Sequence, residues 1–306
     1  MKFQRISTRR LPNGEVAAVH PFHICTKGER VVFRTSEDLR VAFNFLPICA
    51  LRSNVAIVMP CVLNTHFHSV ILARSYDDAK RFGDCYKQSV SMHLTRKYGA
   101  GLEPFREVES KPIPLEDDRY VRNAICYVAA NALDAGATVD SYPWSGYRAL
   151  FCDGSAGADS SRVSEMSRRK IREVLKSDIC LETVPWLING EGVIEPASYC
   201  DWRYAESAFY GDIGFFTKVL GLTDRDQMDR QMAEDHQRRK SLEDVMSDIE
   251  GRCRKIYGLP ASELRPSQKI PILKAVSYSA GLSVKILSRC FEMPEEEVAA
   301  ILRRDR

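Results

Sequence analysis

No two of the ten cysteines (25, 49, 61, 85, 126, 152, 180, 200, 253 and 290) are spaced as Cys-x-x-Cys. Structural zinc usually draws on such closely paired ligands, so a zinc knuckle is not expected. The chain also lacks any apolar run of the roughly 18 residues needed to cross a bilayer, which predicts no membrane span. It opens Met-Lys-Phe-Gln-Arg, polar and basic, where a signal peptide would carry an apolar core. A disulfide scaffold is therefore not expected, and a reducing cytoplasm is the expected setting. Strong net charge is missing too, because 44 Lys and Arg against 41 Asp and Glu leave only +3. No polyanionic partner follows from that balance, and any nucleic-acid surface must be a local patch.

What is present is an ordinary globular composition, 44% apolar and 28% charged over 306 residues, enough for two domains with separate cores. Residues 1–14 form a basic, polar arm, and Glu15–Cys25 alternates as a first strand containing His20 and His23. Ser36 suits a helix N-cap before Asp38–Ala50, with Pro47 as its interruption or end. Asn54–Met59 and Leu63–Ala73 read as a strand pair around Pro60, and Asp77–Tyr98 as a long helix. A third helix follows Pro114, with Glu116, Asp117 and Asp118 in its first turn, and stops at Gly136. This β-α-β-β-α order with a further helix predicts an α+β fold, helices against an antiparallel sheet.

Asp153–Ser161, rich in Gly, Ala, Ser and Asp, is the linker candidate, dividing the chain into 1–152 and 153–306. Beyond it Arg162–Lys176 reads as an amphipathic basic helix, and residues 180–235 carry no assigned role. Ser241 and Asp244 resemble a capping box opening a helix that ends at Gly258. Three short helices then fill about 269–304, separated by Gly281 and Pro294 as in a helix-turn-helix bundle.

The chemistry centres on His66 and His68, which flank Phe67 in a β-prone run. Alternate side chains of a strand share a face, so two imidazoles would point one way and Phe67 into the core. The pair lacks the aspartate two residues on that a zinc hydrolase of this kind would use; Val70 stands there. His23 reads as a satisfied strand histidine.

Three blocks carry a family resemblance. Asn-Thr-His-Phe-His-Ser-Val-Ile-Leu (64–72) resembles the His-hydrophobe-His strand of the HUH nucleases, specifically the single-tyrosine transposases. Residues 119–136, with Tyr127 and Asn131 four apart, resemble the nucleophile-bearing helix of that family. Ser-Tyr-Pro-Trp-Ser-Gly-Tyr-Arg (141–148) is similar to the box that follows in the REP-associated tyrosine transposases. Ala132 stands where the family usually has Pro, and Pro60 lies six residues before His66.

The resemblance implies a ferredoxin-like HUH sheet in residues 1–152 and a helix-turn-helix-like end to a mostly helical remainder. It implies a DNA nicking and strand-transfer enzyme acting on single-stranded, hairpin-forming repeats, nucleoid-associated in the cytoplasm, working as a homodimer or alone. Tyr127 would be the nucleophile, forming a 5′-phosphotyrosine link. His66, His68 and Asn131 would hold a divalent metal, and their mixed nitrogen and oxygen set suits Mg²⁺ or Mn²⁺. Arg122, Trp144 and Arg148 are the candidate DNA contacts. Tyr120 is a rival nucleophile without an Asn four residues on. Two other readings compete: a domesticated, non-cleaving DNA-binding regulator with the same fold, and an unrelated HxH hydrolase active without Tyr127.

Overall fold

The computed structural model describes residues 7–26, 31–99, 105, 111–152, 157, 159–237, 242–279 and 284–303. Its first part runs β1 (Ser7–Arg10), β2 (Val16–Cys25), α1 (Ser36–Ser53), β3 (Ala56–Val62), β4 (Phe67–Ala73), α2 (Tyr76–Tyr98), β5 (Ile113–Pro114) and α3 (Asp118–Ala130). The sheet order is β1-β2-β4-β3, with β5 also on β2, and every pairing is antiparallel. β1 takes the first half of β2 and β5 pairs with Phe22 and His23, so both lie on the edge away from β4. The α+β class with an antiparallel sheet is as expected, and β1 adds a strand within the arm.

Local signals explain most boundaries. Thr35, rather than Ser36, caps α1, its side chain accepting from Asp38 N while Asp38 bonds back. Asn54 ends α1 in the left-handed conformation, φ 53°. Pro47 lies inside this helix instead of ending it. Its missing N–H forgoes one helical bond, but Phe43, Leu46, Ile48 and Cys49 are all buried around it, and packing outweighs that loss. Ser75 caps α2, and Ala79, Phe82, Tyr86, Val90 and Leu94 form its buried stripe. Pro60 sits within β3, opposite Ser69, while the bulge falls between Ile57 and Met59.

The sheet separates two cores. On one side Phe22, Ile24, Phe67 and Ile71 pack with α1 and α2. On the other Val19, Met59, Val70 and Leu72 pack with α3.

Chain beyond residue 152 enters both cores. The pair β6 (Ser161–Arg162) and β7 (Leu187–Ile188), with α4 (Arg168–Leu175) and α5 (Pro196–Tyr199), accompanies Val163, Ile171, Leu175, Trp186 and Ile194 into the α1/α2 core. The helix expected over Arg162–Lys176 is only α4, because Ser167 caps it late. Next, α6 (Trp202–Ala208), α7 (Ile213–Leu222) and α8 (Arg225–Gln237) bring Ala205, Phe209, Phe216, Met228 and Met232 against α3. Side chains from both sides of the 152/153 boundary therefore share two cores, and much of the expected linker lies outside the described residues.

A third core is self-contained. It joins α9 (Leu242–Tyr257), α10 (Pro266–Ser279), α11 (Val284–Phe291) and α12 (Glu295–Arg303) through Val245, Ile249, Leu273, Leu287, Phe291 and Val298. The three short helices expected there are α10, α11 and α12; Ser241 and Gly281, read as cap and turn, lie outside the described residues. Among the described residues no helix is long and apolar enough to cross a membrane.

Candidate active site

The β3–β4 connection is a tight turn in which Leu63 N donates to His66 O at 2.8 Å. Asn64 O receives the N–H groups of Val32 and Phe33, each at 2.9 Å, which anchors the turn from outside. His66 therefore belongs to the turn, one residue before β4, and not to the strand. His68 lies within β4, opposite Cys25 on β2 and Cys61 on β3. The two rings still approach, with centroids 4.7 Å apart at 76°. His68, like Val70, faces α3, while Phe67 faces α2, where its ring meets Tyr86 at 4.1 Å.

Both imidazoles have Nδ1 engaged. Thr65 Oγ1 lies 2.6 Å from His66 Nδ1, and His23 Nε2 lies 3.1 Å from His68 Nδ1. Partners of this kind hold the rings in orientation, and a metal would need each ring to carry its proton on Nδ1 and present Nε2. His23 is 0% exposed and stacks on His68, centroids 5.3 Å apart. It is thus a neighbour of the pair, a place not assigned to it from sequence. The signal was available in part: Phe22 and Ile24 face α1 and α2, so His23 between them must face the other way.

Tyr127 comes to this cluster from α3. Its ring lies 5.3 Å from that of His68 at 90°, and 6.0 Å from that of His23. It is Tyr127, and not Tyr120, that stands edge-on to both. Asn131, one turn on, donates from Nδ2 to Tyr127 O at 2.8 Å, so Oδ1 is its atom with ligand capacity. Tyr127 and Asn131 are each 3% exposed.

The phenol hydroxyl has an unforeseen partner. Tyr127 Oη donates to Asp229 Oδ1 at 2.6 Å, from α8, 102 residues further along the chain. Burial, then the bond and charge of Asp229, push the Tyr127 hydroxyl above the ordinary phenol range, and the carboxylate of Asp134 acts the same way. The phenol is therefore protonated at neutral pH. Met228 and Met232, each 4% exposed, and an Arg225–Asp134 ion pair hold α8 in place.

The three expected DNA contacts are each engaged within the chain. Arg122 donates to Ala208 O at 3.3 Å and lies over the rings of Tyr210 and Phe215. Arg148 donates to the carbonyls of Asp140 and Ser141. Trp144 packs edge-on against Phe43, and its carbonyl accepts Val62 N at 2.9 Å. The 141–148 box also braces β3: Tyr142 Oη donates to Val62 O at 2.7 Å, and Gly146 sits against Pro60. A Cβ at position 146 would fall 2.4 Å from Pro60 Cδ, so only glycine fits that approach.

Among the described residues no group of three or more His, Cys, Asp or Glu side chains is arranged to hold a metal ion. The ring contact brings two imidazoles together, and with the Asn131 amide oxygen they make a donor set of the kind that suits a divalent ion completed by water and phosphate oxygens. Comparison with family models, curated proteins and solved structures gave no match, so the functional reading rests on this geometry and on the motifs.

Proposed function

We propose that this chain is a metal-dependent single-stranded DNA endonuclease and strand transferase of the REP-associated tyrosine transposase type. Its substrate would be a hairpin-forming repeat, processed through a covalent 5′-phosphotyrosine intermediate. One observation carries the reading: His66, His68 and Tyr127, singled out as motifs some 60 residues apart, have neighbouring rings 4.7 and 5.3 Å apart. The split connectivity β2-α1-β3-β4-α2-β5, in spatial order β5-β2-β4-β3, supports the ferredoxin-like HUH sheet that the resemblance implies.

In this reading Tyr127 Oη attacks the scissile phosphorus, the Tyr127–DNA bond forms, and a 3′-hydroxyl is released. That hydroxyl can reverse the step on another strand, so no external energy source is required. Asn131 ties the end of α3 to the backbone of Tyr127, which limits the positions the phenol can take. His23 and Thr65 hold the two imidazoles in place. Mg²⁺ or Mn²⁺, held by His66, His68 and Asn131, would polarise the phosphate and offset charge developing in the transition state.

The test uses single-stranded hairpin DNA with a 3′ label, incubated with Mg²⁺ or Mn²⁺ and run on a denaturing gel. A labelled protein adduct is expected from wild type and none from Tyr127→Phe. Strand cleavage that survives Tyr127→Phe points to an HxH hydrolase and sinks the proposal. Binding without any adduct points to a non-cleaving regulator and sinks it as well.

A further inference from the structure

The group that meets the nucleophile's hydroxyl comes from a helix outside every motif in the sequence. Tyr127 Oη and Asp229 Oδ1 are 2.6 Å apart, the short distance of a hydrogen bond to a charged acceptor. Asp229 is itself exposed, whereas Tyr127 is buried, so this carboxylate joins a buried phenol to solvent. Among the described residues, His23 and Cys25 from β2, His68 from β4, Asp134 after α3 and Arg225 on α8 are further titratable and charged groups around the pair. Of all these groups, Asp229 is the one that receives the phenolic hydrogen.

We propose that Asp229 is a catalytic residue, the proton acceptor that activates Tyr127 for attack on a phosphodiester. The inference rests on the phosphotyrosine reading above. A phenol is a far weaker acid than a carboxylic acid, and burial with Asp229 beside it weakens this one further, so transfer in advance of attack is uphill. The proton therefore moves as the bond to phosphorus forms. Oη–H breaks and the proton passes to Asp229 Oδ1, while the oxygen's electron pair makes the Oη–P bond. The P–O3′ bond breaks with its pair on O3′, which takes a proton from water. The exposed Asp229 carboxyl then releases its own proton to the resulting hydroxide, and the carboxylate is restored.

The experiment measures single-turnover adduct formation on a pool of 3′-fluorescein-labelled strands, each a hairpin stem with randomised flanks, with Mn²⁺ present. Asp229→Asn keeps the shape and removes the acceptor, and is expected to slow the adduct by about 10²–10⁴-fold at an unchanged thermal midpoint. Asp229→Glu, which restores a carboxylate, is expected to recover at least part of that loss. Once the cleavage position is mapped, sulfur in place of the bridging 3′-oxygen there makes a leaving group that needs no proton. The Asp229→Asn defect should persist on that strand, because the carboxylate serves the nucleophile. An adduct that forms in Asp229→Asn as fast as in wild type, or faster, overturns the inference and leaves the phosphotyrosine reading intact; faster formation would make α8 a cover over the site. A defect that vanishes with sulfur also overturns it, placing Asp229 on the leaving group. No adduct from wild type anywhere in the pool overturns both.

Discussion

The two faces of one strand, β4, have different chemistry beneath them. On the α1/α2 side Phe67 packs among Phe82 and Tyr86, and the surrounding core is almost wholly apolar. The buried carboxylate at the edge of that side, Asp38, is answered in full: Lys97 Nζ and Tyr98 Oη each at 2.7 Å, with the N–H groups of Arg34 and Thr35. On the α3 side His23, His68, Tyr127 and Asn131 are buried too, yet they bond in pairs, His23 with His68 and Asn131 with the Tyr127 carbonyl, and the Tyr127 hydroxyl turns to an exposed carboxylate. A buried charge needs strong partners to be tolerated, whereas neutral polar groups can be kept by modest ones. The strand thus has an apolar core on one face and a cluster of polar, titratable side chains on the other.

Four substitutions or conditions would break or sharpen that contrast. The largest stability change is expected from Phe67→Ala, which empties a fully buried ring position and should cost about 3–5 kcal/mol in denaturant unfolding. An undiminished unfolding midpoint would mean that the α1/α2 face does not carry the fold. Gly146→Ala, forced against Pro60 behind β3, should cost about 1–3 kcal/mol by overpacking. Its adduct-forming rate per folded molecule should change little, since no site side chain is altered. Tyr127→Phe removes one hydrogen bond and should cost no more than about 0.5–1.5 kcal/mol, while abolishing adduct formation. A large loss of stability here would move Tyr127 from the reactive set to the structural one.

The smallest effect is confined to acid. Burial works to raise the Asp38 carboxyl, but the bonds from Lys97, Tyr98 and the Arg34 and Thr35 N–H groups outweigh it and hold it below the usual range. A carboxyl depressed on folding contributes stability above its unfolded value of about 3.9 and loses it as pH falls through the folded one. Thermal midpoints should therefore drop below about pH 4 in wild type and drop less steeply in Asp38→Asn, which lacks that proton equilibrium. Equal slopes would show that Asp38 does not set the acid limit.

Much of the first half was legible because its signals are local. Caps, the apolar stripe of α2 and the alternation of β2 and β4 all lie within windows of a few residues. Tyr127 and Asn131 were readable as one face for the same reason. What escaped depends on register and on long-range packing. His66 falls in a turn because the hairpin closes at Leu63, which alternation alone cannot reveal. The neighbourhood of His23 needs the pairing of β2 with β4, and Asp229 reaches Tyr127 through a helix anchored in the core by two methionines. Arg122 and Arg148 were picked out by charge alone, which does not reveal that backbone carbonyls and aromatic rings also engage them.

The brace behind β3 has a consequence for how copies of this chain could meet. An outermost strand normally offers a row of unpaired backbone groups on which another chain can add. Here Val62 N is taken by Trp144 O, Val62 O by Tyr142 Oη, and Ile57 O by Asp201 N. Single bridges from Ser145 and Cys200 cover the same border, and every residue of β3 is buried. Sheet-to-sheet growth and amyloid-like stacking have no template at this border, and a pairing of two copies would have to be made elsewhere.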